Sequence, residues 1–258
     1  SREAEQKRLY VLNALRCGES PLTVATVSAL MQRAIPPQTL AKAAFTVTDG
    51  EPCPPEELEK ALVRCGYTRC EQVEGAGQFS RRGGIIDFFS PSYPEPVRIE
   101  FWGDDIDSMG FFDVKTQRRT ESVETCRILP AAESLATLAQ GGTEALIDAL
   151  RAAADKCSRH KSSQQLRELE QTLRTDIERL EQNVKIEYAD RYMPFLYEKA
   201  SGADYIPEEA VVFIDQPPRC SDRAKGFIKQ LGEDVGELVK KGMLATDAPS
   251  FRISWDEL

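Results

Sequence analysis

The 258-residue sequence has no apolar run approaching the roughly 20 residues that span a bilayer, which excludes a membrane-spanning helix. Its first residues, SREAEQKRLY, are charged where a secretory signal carries an apolar stretch, so a cytoplasmic protein with no membrane partner is expected. Histidine is almost absent. The one copy, His160, lies in the polar stretch DKCSRHKSSQQ, read as a loop or helix surface, so a histidine-dependent nucleophilic triad is not expected. The seven cysteines (Cys17, Cys53, Cys65, Cys70, Cys126, Cys157 and Cys220) are odd in number, scattered and free of any C-x-x-C pair, so reduced thiols are expected and a zinc site is not. Positive charge is also short: the formal net charge is -9, which argues against strong autonomous DNA binding and for protein partners.

Two further absences concern nucleotides. No G-x-x-x-x-G-K-[ST] occurs, so there is no phosphate cradle and no lysine for the β- and γ-phosphates. Val211 to Asp215, VVFID, has the shape of a Walker B strand, but Gln216 stands where a carboxylate base is expected, and a degenerate site at Asp215 and Gln216 that hydrolyses no ATP follows. The glycines at 75, 77, 83 and 84 precede a hairpin, not a helix, and make no dinucleotide site. Asp104, Asp105 and Asp107 sit in or beside a turn, where aspartate is a common turn former, and no metal or other cofactor is expected.

What is present is an α/β pattern. Arg2 to Arg16 reads as an amphipathic helix with Leu9, Leu12 and Leu15 inward, PLTVATV (21–27) as a buried strand, and the next residues, to about Gln32, as a short helix. Pro55 to Cys65 reads as a helix with Leu58 and Leu62 inward. From Gln78 to about Leu129 short strands follow one another as an antiparallel meander: QFSRR, GIIDFF, VRIEFW, DIDSMGFFD and one near VETCRIL. Leu166, Leu169, Leu173, Ile177 and Leu180 make one stripe of a helix, expected to pack on the body of the protein or in a hairpin with a helix near Thr143 to Ala154 and not as a dimerising zipper, whose seam needs more heptads. VVFID reads as a buried parallel strand able to share a sheet with PLTVATV, and a last helix is expected from Ser221.

Alternation in VRIEFW places Val97, Ile99 and Phe101 on a core face and Arg98, Glu100 and Trp102 on the face that meets water, with Arg81 and Arg82 on the facing part of the meander. Two accounts fit that strand. In one, Trp102 covers neighbouring apolar surface while Arg98 and Glu100 form a weak cross-strand ion pair. In the other, tryptophan and arginine on a rigid sheet form a protein-binding patch.

GQFSRRGGIIDFFSPSYPEPVRIEFWGDDIDSMGFFDVKTQRR (Gly77 to Arg119) resembles the insert of the bacterial transcription-repair coupling factors and, more distantly, a domain of the excision-repair protein UvrB. PLTVATVSALMQRAIPP, RILPAAE, DIERLEQNVKIEYADRYMPFLYE and VVFIDQP agree with it. The resemblance implies a degenerate helicase-like, P-loop-type lobe split in sequence (1–48 and, with a helical hairpin, 133–258) around an inserted β-rich domain (49–132). It implies a non-catalytic module that recruits UvrA to stalled RNA polymerase, with Arg82, Arg98, Glu100, Trp102 and the adjacent Arg81 on the binding face. The outward Trp102 is then explained by a partner that covers it. The chain reads as a piece of a longer protein whose motor, with ATP and magnesium, and whose contacts to RNA polymerase and duplex DNA lie downstream, and on whose own C-terminal part the same face could dock. The alternative is a DNA- and nucleotide-binding fragment of a UvrB-like helicase.

Overall fold

In the computed structural model, residues 2–20, 22–159, 163–245 and 248–258 are described, and His160 and Pro21 lie outside them. The chain forms two compact units, Ser1–Cys17 with Gln38–Thr137, and Gly18–Pro37 with Leu138–Leu258. In chain order, α1 (Arg2–Arg16), α2 (Val27–Met31) and α3 (Pro37–Ala43) precede β1 (Phe45–Thr48), α4 (Pro55–Arg64) and β2 (Thr68–Arg69). The strands β3 (Gln78–Arg82), β4 (Ile85–Phe88), β5 (Val97–Trp102), β6 (Asp105–Phe112), β7 (Arg119–Ser122) and β8 (Thr125–Ile128) follow. The chain then becomes helical: α5 (Gly142–Ser158), α6 (Gln164–Glu181), α7 (Met193–Leu196) and α8 (Pro217–Lys240), with short 3-10 turns between and after them.

The first unit holds both sheets. Six strands run in the order β2-β3-β4-β5-β6-β7, antiparallel from β3 to β7, and β8 leaves this meander to pair with β1. Neither β7 nor β1 is among the strands expected from the sequence, because RTES is exposed throughout and FTVT is short, so neither shows a clear apolar alternation. One face of the six-stranded sheet is the core: Phe79, Ile86, Phe88, Val97, Ile99 and Met109 are buried with Leu58 and Leu62 of α4. Pro55 at its start and Glu56 and Glu57 in its first turn favour α4 where it begins. It stops in a Schellman arrangement, in which Tyr67 N donates to Leu62 O at 3.0 Å and Gly66 N to Val63 O at 2.9 Å. Gly66 sits at φ 82°, and a Cβ there would come within 2.5 Å of Leu135, so glycine serves both the turn and the packing. The unit reaches beyond the expected insert of 49–132, because Gln6 of α1 donates to Ala76 O at 3.0 Å and α3 contributes from Gln38 on.

The second unit corrects two expectations. Among its described residues there is no strand: residues 22–26 and 211–214 are extended or irregular and unpaired, and Leu22, Val24 and Val211 to Ile214 are exposed. Apolar sequence gives a segment strand character, but a strand needs a neighbour whose N–H and C=O groups it can bond, and neither segment has one. The parallel sheet of a helicase-like lobe is therefore not formed here. The helical expectations fare better: α6 buries Leu169, Leu173, Ile177 and Leu180 against α5, joined also by Arg151–Glu181 at 2.5 Å. The last helix begins earlier than Ser221, because Pro217 and Pro218 occupy its first positions, where proline lacks only a donor that is unused anyway.

Burial in the first unit's core pushes the Cys126 thiol up from 9.0 to about 12 and Cys65 to about 11, and raises the Tyr93 hydroxyl from 10.0 to about 12. These groups stay uncharged in the fold where the unfolded chain would ionise. Their contribution to stability is thus whole below about pH 9 and is lost as pH rises through their folded values. Urea unfolding should therefore show lower stability at about pH 10.5 than at about pH 8, with a smaller drop in Cys126→Ala; equal drops would contradict the assignment.

Candidate protein-binding site

Strand alternation and register together build a polar face opposite the core. Val97 and Ile99 are buried and Phe101 packs on the core, so Arg98, Glu100 and Trp102 of β5 project the other way. The antiparallel register sets Asp87 against Arg98, Ile85 against Glu100, Ser80 against Asp87 and Arg82 against Ile85. On the other side, Gly110 faces Arg98, Ser108 faces Glu100 and Asp105 faces Trp102. Between Glu100 and Phe101 the register shifts by one residue of β6, a bulge that leaves Asp107 unpaired at the Trp102 end of the strand.

Asp87 is the centre of this face, with a side chain 1% exposed. Its Oδ1 accepts from Arg98 Nε at 2.7 Å, and its Oδ2 accepts from Arg98 Nη2 at 2.9 Å and from Arg82 Nη2 at 2.8 Å. Arg98 also donates from Nη1 to Gln117 O and from Nη2 to Gln117 Oε1, both at 3.3 Å, and its guanidinium lies 4.6 Å from the centre of the Phe112 ring. The hydrogen bond to Asp87 is the main cause that raises the Arg98 pKa above its ordinary value. Removing one member of such a buried pair leaves an uncompensated charge and costs about 3–5 kcal/mol, so the two residues keep each other in place.

A second cluster adjoins it. Glu100 accepts from Ser108 Oγ at 3.2 Å and pairs with Arg119 at 3.5 Å, while Arg119 Nη2 donates to Ser108 Oγ at 2.9 Å. Glu100 thus pairs across to β7 and Arg98 across to β4, in place of the ion pair between Arg98 and Glu100 considered from the sequence. Trp102 is 82% exposed at the end of β5 beside the Gly103-Asp104 turn.

Four of the expected residues, Arg82, Arg98, Glu100 and Trp102, therefore share one face. Arg81 does not. Adjacent strand residues point to opposite sides, and Arg81 ion-pairs with Glu56 and, at 3.1 Å, with Glu59 of α4, the first of which is the main cause raising its pKa. Asp215 and Gln216 belong to the other unit: Gln216 takes a left-handed backbone (φ 53°) at the start of α8 without a side-chain cap, and Asp215 O accepts from Cys220 Sγ at 3.2 Å, so the pair leads from an unpaired segment into a helix. Asp87, Gln117 and Arg119 were not singled out from the sequence. A signal for Asp87 existed, since alternation in GIIDFF puts its one carboxylate on the face of Ile85, opposite Ile86 and Phe88.

Residues 45–133 match the family model described as UvrB interaction domain. The matched segment contains both clusters and Trp102. Over 96% of its length the chain is 31% identical to a protein named Transcription-repair-coupling factor from Bacillus subtilis (strain 168), covering 21% of that protein. Similar proteins of the same name come from Myxococcus xanthus, 30% identical over 76% of the chain and 16% of the relative, and from Staphylococcus aureus (strain MRSA252), 26% identical over 92% and 20%. The chain spans about a fifth of the length of these curated relatives.

On this polar face the guanidiniums of Arg82, Arg98 and Arg119 meet the carboxylates of Asp87 and Glu100, and Asp105 stands opposite Trp102 at the rim. Gly110 keeps the middle of that face open: a Cβ there would approach Glu121 O to 2.5 Å and the Arg119 side chain to 3.0 Å. Gly110→Ala should therefore lower stability by about 1–3 kcal/mol in urea unfolding, since backbone must move to admit the methyl group, and an unchanged midpoint would contradict this packing.

Proposed function

We propose that this chain is a non-catalytic interaction module of a transcription-repair coupling factor, and that its interaction domain binds UvrA to bring nucleotide excision repair to a stalled RNA polymerase. The face formed by Trp102, Arg82, Arg98 and Glu100 makes the contact. The observation that carries the reading is the 82% exposure of Trp102 at the end of a sheet whose neighbouring guanidiniums are held in place by a buried carboxylate. Tryptophan and arginine are enriched among residues that dominate binding energy, and a rigid sheet lowers the ordering cost of docking. Trp102 supplies the desolvated centre, and a guanidinium of the same face pairs with an acidic group of UvrA.

ATP and magnesium have no step in this module. They, RNA polymerase and duplex DNA belong to other parts of the coupling factor. The reading of 1–48 and 133–258 as a degenerate helicase-like lobe rests on the resemblance of the sequence, since residues 22–26 and 211–214 form no paired strand among the described residues.

Titration calorimetry of the chain with UvrA should give a measurable affinity that Trp102→Ala weakens by about 2 kcal/mol or more, and that Arg82→Glu weakens further by setting like charges against each other. Rising salt should weaken wild type and leave Arg82→Glu less sensitive. No binding by wild type, or a Trp102→Ala affinity within about threefold of it, would overturn the proposal.

A further inference from the structure

We infer that Asp87 is a positioning residue that divides the two arginines into different jobs, with Arg98 as an internal strut and Arg82 as the guanidinium that meets the partner's carboxylate. This rests on the UvrA-binding reading and deepens it. A guanidinium has five N–H donors. Arg98 commits four of them, to Asp87 Oδ1, Asp87 Oδ2, Gln117 O and Gln117 Oε1, and its side chain is only 17% exposed with the Phe112 ring against it. Little of it is left to offer.

Arg82 is placed differently. Its side chain is 50% exposed and its Nη2 donates to Asp87 Oδ2, so a single short bond fixes one corner of the guanidinium plane while the remaining donors stay available. A partner carboxylate could then be received by two parallel N–H groups of an already oriented plane, the stronger and more specific form of this interaction. Asp87 does this without being reachable itself, since its side chain is 1% exposed. The same carboxylate that locks Arg98 into the sheet thus also aims Arg82 outward.

Charge and position make opposite demands on Asp87→Asn. Removing a carboxylate from beneath two guanidiniums makes the local potential more positive and, if charge alone mattered, would tighten binding to an acidic partner. Loss of aim weakens it. The experiment is calorimetry of UvrA with wild type, Asp87→Asn, Arg82→Ala, Trp102→Ala and the two double variants that combine Asp87→Asn with each of the others. Asp87→Asn should weaken binding about tenfold. The cost of Arg82→Ala should shrink in the Asp87→Asn background, while Trp102→Ala should cost the same in both backgrounds, as expected of a coupled and an uncoupled pair. An Asp87→Asn affinity equal to or tighter than wild type, or full additivity with Arg82→Ala, overturns the inference while UvrA binding itself stands. Absence of wild-type binding overturns the proposed function instead.

Should Asp87→Asn fail to fold, Arg82→Lys decides the matter, because it changes an exposed side chain and keeps its charge. A lysine ammonium is a point charge and cannot hold Asp87 and present a planar fork together, so affinity should fall about tenfold, and wild-type affinity in Arg82→Lys overturns the inference.

Discussion

A single carboxylate buried on the outer side of a sheet constrains the rest of the interaction domain. Asp87 cannot be left unpaired in that position, because a buried charge without partners is far costlier than the pair itself is stabilising. Strand pairing satisfies it: the register that sets Asp87 against Arg98 brings a guanidinium to it with two bonds of 2.7 and 2.9 Å, and the hairpin to β3 brings Arg82 with a third at 2.8 Å. A slip of one residue would turn Asp87 into the apolar core and Ile86 and Phe88 outward. Correct register and correct display of the polar face are therefore one requirement.

The two faces of the sheet divide the work. Behind β4 and β5 lie Ile86, Phe88, Val97 and Ile99 with Leu58 and Leu62, an apolar layer that supplies stability and rigidity. In front, charged groups are tied to one another in two clusters, and Gly110 leaves the opening between strands through which Arg119 reaches Ser108 and Glu100. At the rim, Trp102 stands apart from both, exposed where the strand ends. An indole held on a stiff strand loses little freedom when it is covered by a partner.

Much of this was legible in the amino-acid order. The spacing of Val97, Ile99 and Phe101 separates core from surface and places Trp102 outward, and the meander from Gln78 follows from its turn residues. Pairing partners were less legible. Alternation says which side Arg98 and Glu100 take, but only the register says that they pair with Asp87 and Arg119, and the turn holding Gln117 at φ 59° has no hydrophobic pattern to announce it. Arg81 shows the same rule from the other side, since its neighbour Arg82 is on the face and it therefore is not. VVFID and PLTVATV failed for another reason: apolar composition describes a strand's surroundings, and residues 211–214 have no strand beside them.

The most direct test of the central claim, that Trp102 is open in the free protein and covered by the partner, is fluorescence quenching. The chain has two tryptophans, so Trp255→Phe leaves Trp102 as its sole indole. With UvrA lacking its own tryptophan emission, iodide should quench Trp102 strongly in the free chain and weakly once UvrA is added. Weak quenching in the free chain, or equally strong quenching in a complex shown independently to have formed, would contradict the account.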